Sequence, residues 1–465
     1  MDVHGKRVVV MGLGCFSGGV SAARFMARRG AEVIVTDMAG PEKLTNSIAA
    51  LADVSIRATH LGGHRPEDFR WADMVVASPA VPLDSPFLHE ARQHGAQVTS
   101  EMNLFFELCP ARVVGVTGSN GKSTTAAMIH AILREAGRSC WLGGNIGRSL
   151  LEQLAEIRPS DIVVLELSSF QLEHLDELGR SPPVALVTNL TPNHLDRHPT
   201  LTAYRSAKQA ILRRQTPADF AILNADDADV RTWPTQGASL FFGLEDHGRD
   251  GSFLDGNHAV VRRAREESEF RLADVLHLPG VHNQSNALAA MCCAAALVVD
   301  TASMCRGLGS FRTLPHRLEL VEQIDGRRFY DDSIATTPES TLAALDALSG
   351  PIWLIAGGHD KGLDLELVAR RIADRVNGVA LLGQTASTLD QLIGRYAQRG
   401  SRPQVQQCGG MEEAVRWCFG RSRPGDAVLL SPACASFGMF QNFVERAEVF
   451  CRAVRELRAV LRRAG

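Results

Sequence analysis

Two glycine-rich turns, each placed between a run of β-branched residues and a helical pattern, restrict the fold of this chain more than any other feature. The first lies in "VVVMGLGCFSGGVSAARFM" from Val8, and the second lies in "VVGVTGSNGKSTTAAMIHAIL" from Val113. A strand, a glycine turn and a helix form the repeating unit of parallel α/β sheets, and the N–H groups at the helix start favour anions. The sequence therefore predicts an α/β protein with two anion-binding turns.

Three successive series of predicted strands divide the 465 residues. The first series ends near Ser100, the second begins at "RVVGVTG", and the third follows Leu314 with "GRRFYDDS", "PIWLIAGG", "GVALLG" and "DAVLLSPA". A chain of this length exceeds one ordinary core, and the usual domain size gives about three domains. We predict a Rossmann-like N-terminal domain at 1–100, a central P-loop ATPase-type parallel-sheet domain at 101–313 and a Rossmann-like C-terminal domain at 314–465.

Composition narrows the class of protein. The hydrophobic content of 45% and the charged content of 22% are typical of soluble globular proteins, and a net charge of −3 gives no global attraction to nucleic acid or an anionic membrane. The start "MDVHGKRVVV" lacks a signal-peptide pattern, and the apolar run from Ala287 to Val299 is shorter than the roughly 20 residues that span a bilayer. The 10 cysteines include no CxxC pair. We expect a cytoplasmic enzyme with reduced thiols that binds neither nucleic acid nor membrane.

The first glycine turn resembles a dinucleotide fingerprint only loosely. Gly12, Gly14 and Gly18 or Gly19 follow a predicted strand, and Asp37 closes the next one, but the spacing GxGxxxGG is one residue longer than GxGxxG. A nicotinamide-dependent oxidoreductase would bind its redox cofactor here. A nucleotide or its diphosphate would be held equally well by the N–H groups and the dipole of the helix, so the residues leave both interpretations open.

The second glycine turn is more specific. Gly118, Gly121 and Lys122 are followed by the hydroxyl residues Ser123 and Thr124. Backbone N–H groups of such a turn wrap phosphate oxygens, the lysine neutralises terminal phosphate charge, and a hydroxyl ligates magnesium. The sequence is not a strict Walker motif, because its first glycine is one place early. It predicts a phosphate-binding loop rather than a plain turn with a surface lysine.

Further polar residues follow the neighbouring predicted strands. Glu166 ends the apolar run "VVLE", where a buried carboxylate requires a cation or hydrogen bonds, and we expect a magnesium ligand. His194 and Asp196 in "TNLTPNHLDRH" are either surface loop residues or part of the same site. Lys208 lies on the apolar stripe of "LTAYRSAKQAILRR". It either extends its amine to solvent at the edge of the stripe or turns towards the active site, where it could be chemically modified.

A set of motifs spread over all three predicted domains resembles the Mur ligase family. The motifs "ELSSFQLE" and "SPACAS…NF" are similar to those of the branch that adds D-glutamate. The others are "TGSNGKST", "GGNIG", "NHLDRH", "YRSAK", "LPGVHNQSNALAA", "LPHRLE" and "DDSIATTPEST".

The resemblance implies an ATP-dependent ligase of peptidoglycan synthesis. Its substrates would be UDP-N-acetylmuramoyl-L-alanine, D-glutamate and ATP. The substrate carboxylate would attack the γ-phosphate, and the amino group of glutamate would then attack the acyl phosphate. The second glycine turn would hold ATP and the first would hold the UDP of the sugar substrate. The resemblance also implies a monomer whose C-terminal domain closes over ATP before chemistry.

The resemblance assigns residues to each part of the site. Catalysis would involve Lys122, Glu166, His194 and Lys208. ATP would contact Gly118, Ser119, Asn120, Gly121, Lys122, Ser123, Thr124, Asn283, Asn286, Arg317 and Asp332. The UDP-linked substrate would contact Gly14, Cys15, Phe16, Asp37, Asn145, Ser168 and His194. Glutamate would contact Thr336, Lys361, Ser436 and Phe443. Two Mg²⁺ ions would be held by Ser123, Glu166, His194 and a carbamylated Lys208.

Several positions depart from the family pattern. Ile334 stands in "DDSIATT" where many members have lysine, Cys15 and Phe16 replace a small polar pair, and Ala80 replaces a glycine. The alternatives are a related Mur-type or folylpolyglutamate-type amide ligase, the same ligase using L-glutamate, and a non-catalytic nucleotide-binding regulator. The regulator would not need His194 or Lys208.

Overall fold

The chain forms two compact units. The computed structural model describes residues 1–14, 17–146, 149–193, 197–264, 266–397 and 403–464. The first unit comprises Met1–Leu276 and Ser285–Phe311, and the second comprises His277–Gln284 and Arg312–Gly465. The first unit contains two sheets and the second contains one. The domain boundaries predicted near residues 100 and 313 stay predictions.

The first sheet is parallel and has the strand order β3-β2-β1-β4-β5. Its central strands are runs of buried Val, Ile and Met, as expected when helices cover both faces of a sheet. The strands are β1 (Arg7–Met11), β2 (Glu32–Asp37), β3 (Ala58–Leu61), β4 (Met74–Ala77) and β5 (Gln97–Ser100). The helices are α1 (Ser17–Arg28), α2 (Thr45–Ala49), α3 (Pro66–Trp71), α4 (Pro86–Gln93) and α5 (Glu101–Leu108).

The second sheet has the order β14-β13-β12-β11-β10-β9-β6-β8-β7. Its strands are parallel up to β12, and β13 and β14 then pair antiparallel. The strands are β6 (Arg112–Thr117), β7 (Cys140–Gly144), β8 (Ile162–Glu166), β9 (Val184–Val187), β10 (Phe220–Asn224), β11 (Ala238–Gly243), β12 (Gly251–Asp255), β13 (His258–Arg263) and β14 (Glu266–Arg271). The helices are α6 (Lys122–Glu135), α7 (Ser169–Leu178), α8 (Leu201–Arg213), α9 (Val281–Ala296) and α10 (Thr301–Ser310).

The third sheet has the order β15-β16-β20-β17-β18-β19, and only the β15–β16 pair is antiparallel among the described pairs. The strands are β15 (Glu319–Ile324), β16 (Arg327–Asp331), β17 (Ile352–Gly357), β18 (Gly378–Leu382), β19 (Gln404–Gln407) and β20 (Ala427–Leu430). The helices are α11 (Pro338–Ala347), α12 (Glu366–Arg375), α13 (Ala386–Tyr396), α14 (Met411–Arg421) and α15 (Phe443–Ala464).

The topology confirms the predicted α/β class, with one sheet for each series of strands. The carboxyl ends of β6, β8 and β9 are neighbours in the second sheet, because β6 lies between the other two. Loops at that edge of a parallel sheet meet in space, which is where open α/β sheets bind ligands. Within the described part of the chain, the helices are too short or too polar to cross a membrane.

Candidate active site

The phosphate loop predicted at Gly118–Gly121 connects β6 to α6. Gly118 has φ +144°, and a Cβ there would lie 1.9 Å from Thr188 Oγ1. Gly121 precedes the helix with φ +82°, and a Cβ there would lie 2.3 Å from Asn286 Oδ1. Both positions therefore exclude a side chain, by backbone conformation and by contact. The loop leads into the N-terminus of α6, where backbone N–H groups and the helix dipole favour an anion such as phosphate.

Side chains and backbone carbonyls of the segment after β9 hold the phosphate loop in place. Ser119 N donates to Asn189 O at 2.9 Å, and Asn120 N donates to Asn189 Oδ1 at 2.8 Å. Thr188 Oγ1 donates to Asn120 O at 2.6 Å, and Ser119 Oγ donates to Thr191 O at 2.8 Å. Thr188, Asn189 and Thr191 are supporting residues that no motif predicted. Their polar run directly after a buried strand was the available signal.

A carboxylate, a hydroxyl and an amide meet beside this loop. Glu166, at the end of β8, is 2% exposed. Ser123 Oγ donates to Glu166 Oε2 at 2.5 Å, and Asn145 Nδ2 donates to Glu166 Oε1 at 2.8 Å. Lys122 Nζ donates to Ser119 O at 2.8 Å. The fold thus brings together Ser123, Asn145 and Glu166, which the sequence analysis assigned to metal and substrate.

Lys208 is buried against the phosphate loop, with 1% exposure. Its Nζ donates to Gly118 O at 2.7 Å and lies 4.6 Å from the centre of the Tyr204 ring. Burial lowers the pKa of Lys208 well below its ordinary value, the charge of Lys122 lowers it further, and Glu166 opposes both. The predicted alternative in which the amine extends to solvent is wrong, because the amine lies inside the protein.

The first glycine turn is organised by Asp37. This carboxylate, 9% exposed at the end of β2, accepts from Gly14 N at 2.9 Å and from Ala39 N at 2.8 Å. Ser47 Oγ donates to Gly14 O at 2.6 Å. Asp37 therefore joins the first glycine turn to the segment that follows β2. Cys15 and Phe16, assigned to the same turn, lie outside the described residues.

The other assigned residues of the first unit have structural roles of their own. Ser168 caps α7: its Oγ accepts from Gln171 N at 3.2 Å, and Gln171 Oε1 accepts from Ser168 N at 2.9 Å. Asn286 Oδ1 accepts from Thr125 Oγ1 at 3.2 Å, which links α9 to the phosphate-loop helix. Thr124 is buried in α6. His194 lies outside the described residues.

In the second unit, Asp332 follows β16 and is 5% exposed. Its Oδ1 accepts from Leu318 N at 3.1 Å and its Oδ2 accepts from Ser431 Oγ at 2.7 Å. Burial raises the pKa of Asp332 to about 7, although these hydrogen bonds and the charge of Arg317 lower it. Buried Arg317 Nε has no hydrogen-bond partner among the described residues. Asn283 Nδ2 donates to Pro279 O at 2.7 Å.

The residues assigned to glutamate lie on segments that contact one another within the second unit. Ser333 Oγ, three residues before Thr336, donates to Phe443 O at 2.7 Å. His359 N donates to Ala435 O at 2.8 Å, which joins the segment of Lys361 to that of Ser436. Lys361 Nζ lies 5.4 Å from the centre of the Phe437 ring, a half-exposed aromatic side chain.

A buried arginine that the sequence analysis missed joins these segments. Arg446 on α15 is 2% exposed. It donates to Ser333 Oγ at 3.1 Å, to Ser333 O at 2.8 Å and to Cys434 O at 3.0 Å. Burial lowers the pKa of Arg446 to about 10. It lies four and eight residues before the buried Phe450 and Val454, on the apolar stripe of α15, and this spacing was the available signal.

The fold and these sites define a three-sheet α/β protein with a phosphate-binding loop and a buried carboxylate beside it. Family models match most of the chain: "Mur ligase MurD-like, N-terminal domain" over residues 6–100, "Mur ligase middle domain" over 116–294 and "Mur ligase, glutamate ligase domain" over 316–434. The chain belongs to the Mur ligase family.

Curated relatives match over nearly the whole length. The UDP-N-acetylmuramoylalanine--D-glutamate ligase of Roseiflexus sp. (strain RS-1) is 43% identical, with 98% of this chain and 99% of the relative covered. The enzyme of the same name from Symbiobacterium thermophilum is 40% identical, with 97% and 98% covered.

Solved structures of the family show the same fold. The UDP-N-acetylmuramate-alanine ligase MurC of Thermotoga maritima superposes with a TM-score of 0.65 at 19% identity, covering 97% of this chain and 99% of the other. MurF from Acinetobacter baumannii gives a TM-score of 0.62 at 18% identity, covering 97% and 93%.

Proposed function

We propose that this protein is an ATP-dependent ligase that joins D-glutamate to UDP-N-acetylmuramoyl-L-alanine in peptidoglycan synthesis. The observation that carries the proposal is the contact between Ser123 of the phosphate-loop helix and the buried Glu166. A plain structural turn does not require a buried carboxylate within hydrogen-bond distance of a phosphate loop, whereas ATP-dependent chemistry with a divalent cation does. The full-length similarity to D-glutamate ligases supports the choice of substrates.

The arrangement supports a reaction in two steps. An oxygen of the substrate carboxylate attacks the γ-phosphorus and ADP leaves. The amine of D-glutamate then attacks the acyl carbon, phosphate leaves, and the nitrogen loses a proton. Lys122 neutralises phosphate charge as the carboxylate approaches, and the loop N–H groups orient the triphosphate. No nucleophile on the protein is needed, because the two substrates supply both attacking atoms.

The donor set beside the phosphate loop fits magnesium. Ser123 and Glu166 supply a hydroxyl and a carboxylate oxygen, the ligand type Mg²⁺ prefers, and Asn145 orients Glu166 through its second oxygen. When bound, Mg²⁺ offsets the repulsion between the anionic carboxylate and the triphosphate. We assign one ion to Ser123 and Glu166 and a second to His194 and Lys208.

Lys208 fits the second ion only in a modified form. An ammonium would repel a cation, whereas a carbamate, formed when the neutral amine adds carbon dioxide and loses a proton, is anionic and offers oxygen ligands. The buried amine favours this reaction, because the neutral form required for attack is stabilised by burial. The proposal therefore includes carbamylation of Lys208.

The remaining assignments complete the proposal. Asp37 and Gly14 would hold the UDP group, and Lys361 and Ser436 would bind glutamate carboxylates. We further propose that the enzyme acts in the cytoplasm, where ATP is available, as a monomer without a nucleic-acid partner.

Phosphate release tests the function directly. The assay contains UDP-N-acetylmuramoyl-L-alanine, ATP and Mg²⁺, with D-glutamate, L-glutamate or no amino acid. We expect release to depend on both the UDP-linked substrate and D-glutamate. Preferential product formation with L-glutamate would reverse the stereochemical assignment. Ile334 bears on this assignment, because many family members have lysine at that position. Release that is unaffected by omission of the UDP-linked substrate would disprove the ligase assignment.

A further inference from the structure

Three potential metal ligands come together in the second unit, away from the phosphate loop in sequence. They are His316, in the turn before β15, Glu319, at the start of β15, and Asp331, at the end of β16. Their ligand atoms lie within 4.8 Å of one another. We propose that His316, Glu319 and Asp331 form a binding site for one divalent transition-metal ion of the zinc or cobalt class. The proposal does not depend on the ligase assignment.

The sheet register creates this group. Glu319 and Asp331 are directly opposite each other in the antiparallel β15–β16 pair. Two carboxylates at such a pair repel each other, which destabilises the pair unless a cation lies between them. His316 reaches the pair because its backbone turns back with φ +64°: its N donates to Glu319 Oε2 at 2.9 Å.

The ligand atoms are close enough for a small movement to place them around one ion. His316 Nδ1 lies 2.8 Å from Asp331 Oδ2, which is a hydrogen-bond distance. Ligands bound at about 2.0–2.2 Å to one ion are separated from one another by roughly 3.0–3.4 Å, so binding would replace this hydrogen bond by coordination. Asp331 is fully buried, and its other oxygen accepts from Ser333 N at 2.9 Å, which orients the carboxylate as a backbone partner orients a metal ligand.

The group is accessible from a cavity in the second unit. His316 and Glu319 line a cavity of about 360 Å³ together with residues of α15. The cavity wall from α15 includes Glu448, Cys451 and Arg455. It provides both an entry path and space for water molecules that would complete the coordination of an ion held by three protein ligands.

The ligand types select the class of metal. Imidazole binds zinc, cobalt, nickel and copper more tightly than it binds magnesium or calcium, which favour oxygen ligands. One imidazole with two carboxylates is therefore a site for a transition metal, even in excess Mg²⁺. Because His316 and Asp331 adjoin Arg317 and Asp332 in the chain, a bound ion would also fix the segments that carry these two proposed ATP contacts.

A simple ion pair is the competing explanation. A protonated His316 would itself offset the charges of Glu319 and Asp331 without any metal. The structure offers a matched control for this case. His60 Nδ1 lies 2.7 Å from Asp68 Oδ2 in the first unit, a similar His–Asp pair that belongs to no three-ligand group among the described residues.

Calorimetric titration of the full chain with Zn²⁺, in excess Mg²⁺ and without nucleotide, tests the site. We expect one equivalent to bind to the wild type and to His60→Gln with the same Kd. Glu319→Gln keeps an acceptor for His316 N but loses the charge, and we expect its affinity for Zn²⁺ to fall at least about tenfold. His316→Gln is expected to show the same loss, and it keeps the test available if the first variant does not fold.

A second readout distinguishes coordination from charge compensation. Co²⁺ in a site with one imidazole and two carboxylates produces visible absorption bands, and Zn²⁺ should raise the Tm of the wild type and of His60→Gln but not of Glu319→Gln. Equal Zn²⁺ affinity in the wild type, Glu319→Gln and His316→Gln would overturn the proposal. So would the same loss of affinity in His60→Gln as in the other two variants.

Discussion

The amine of Lys208 donates a hydrogen bond to the carbonyl oxygen of Gly118 at a distance of 2.7 Å. This contact places the amine of a residue on the apolar stripe of α8 directly against the phosphate loop. Among the described residues no carboxylate bonds to this buried amine, which is costly to keep charged, so burial favours a neutral form that can react. The unusual position of Lys208 on an apolar helix stripe therefore fits the carbamylation proposed for it.

We expect Lys208→Ala to lose most ligase activity, because the proposed carbamate supplies oxygen ligands that alanine cannot replace. Short-chain carboxylates such as acetate should restore part of the activity by occupying the same position. Lys6→Ala, an exposed lysine of the same chain, serves as the control and should be as active as the wild type. Full activity of Lys208→Ala without added carboxylate would eliminate the carbamate from the mechanism.

The phosphate loop gives the second prediction. Lys122→Ala and Glu166→Ala should each lower turnover by at least about 100-fold, because each removes a charge that acts on the triphosphate or its metal. Both variants should retain the far-UV circular dichroism spectrum of the wild type. Steady-state phosphate release is the measurement. Turnover at the wild-type rate in either variant would contradict the assignment of ATP to this loop.

The third prediction separates the two nucleotide sites. Asp37→Ala leaves Gly14 N and Ala39 N without their acceptor, so we expect the Kd for the UDP-linked substrate to rise about tenfold or more, with little change in the Kd for ATP. Asp37→Asn keeps one acceptor oxygen and should give an intermediate loss. Calorimetry with each ligand measures both constants. Equal losses for the two ligands would show that the first turn is not a separate site.

Much of the fold follows from local sequence patterns. The hairpins at the sheet edges depend on turn residues, which the prediction of strands from β-branched runs did not use. The β-branched runs predicted the parallel strands, because buried strands of this kind have few alternatives. The antiparallel β12–β13 pair is joined by Gly256-Asn257, with Gly256 at φ +56°. A two-residue Gly-Asn turn between apolar runs is a recognised hairpin signal, so this pair was predictable.

The candidate site was less predictable, because its contacts join residues distant in sequence. The stripe of α8 showed that Lys208 was unusual but not which way its amine points; that depends on Gly118, 90 positions earlier. Arg446 illustrates the limit. Helical periodicity places it on the apolar stripe of α15 but does not show that it bonds to Ser333 and Cys434, since these partners come from other segments.

The last prediction concerns Asp332, whose pKa is raised by burial to about 7 from an ordinary value of 3.8. Between these two pH values the folded state holds a proton that the unfolded state has released, so this carboxyl stabilises the fold below about pH 4 and loses that contribution as the pH rises towards 7. Asp332→Asn cannot ionise and keeps an acceptor for Leu318 N, so its free energy of unfolding should lack this loss. We expect the stability of the variant relative to the wild type to increase between pH 4 and pH 7, by at most about 1.4 kcal/mol per pH unit. Urea denaturation without nucleotide at several pH values measures the difference, and Asp325→Asn, at an exposed turn position, is the control. A constant difference between Asp332→Asn and the wild type across this range would mean that Asp332 is ionised in the folded protein throughout.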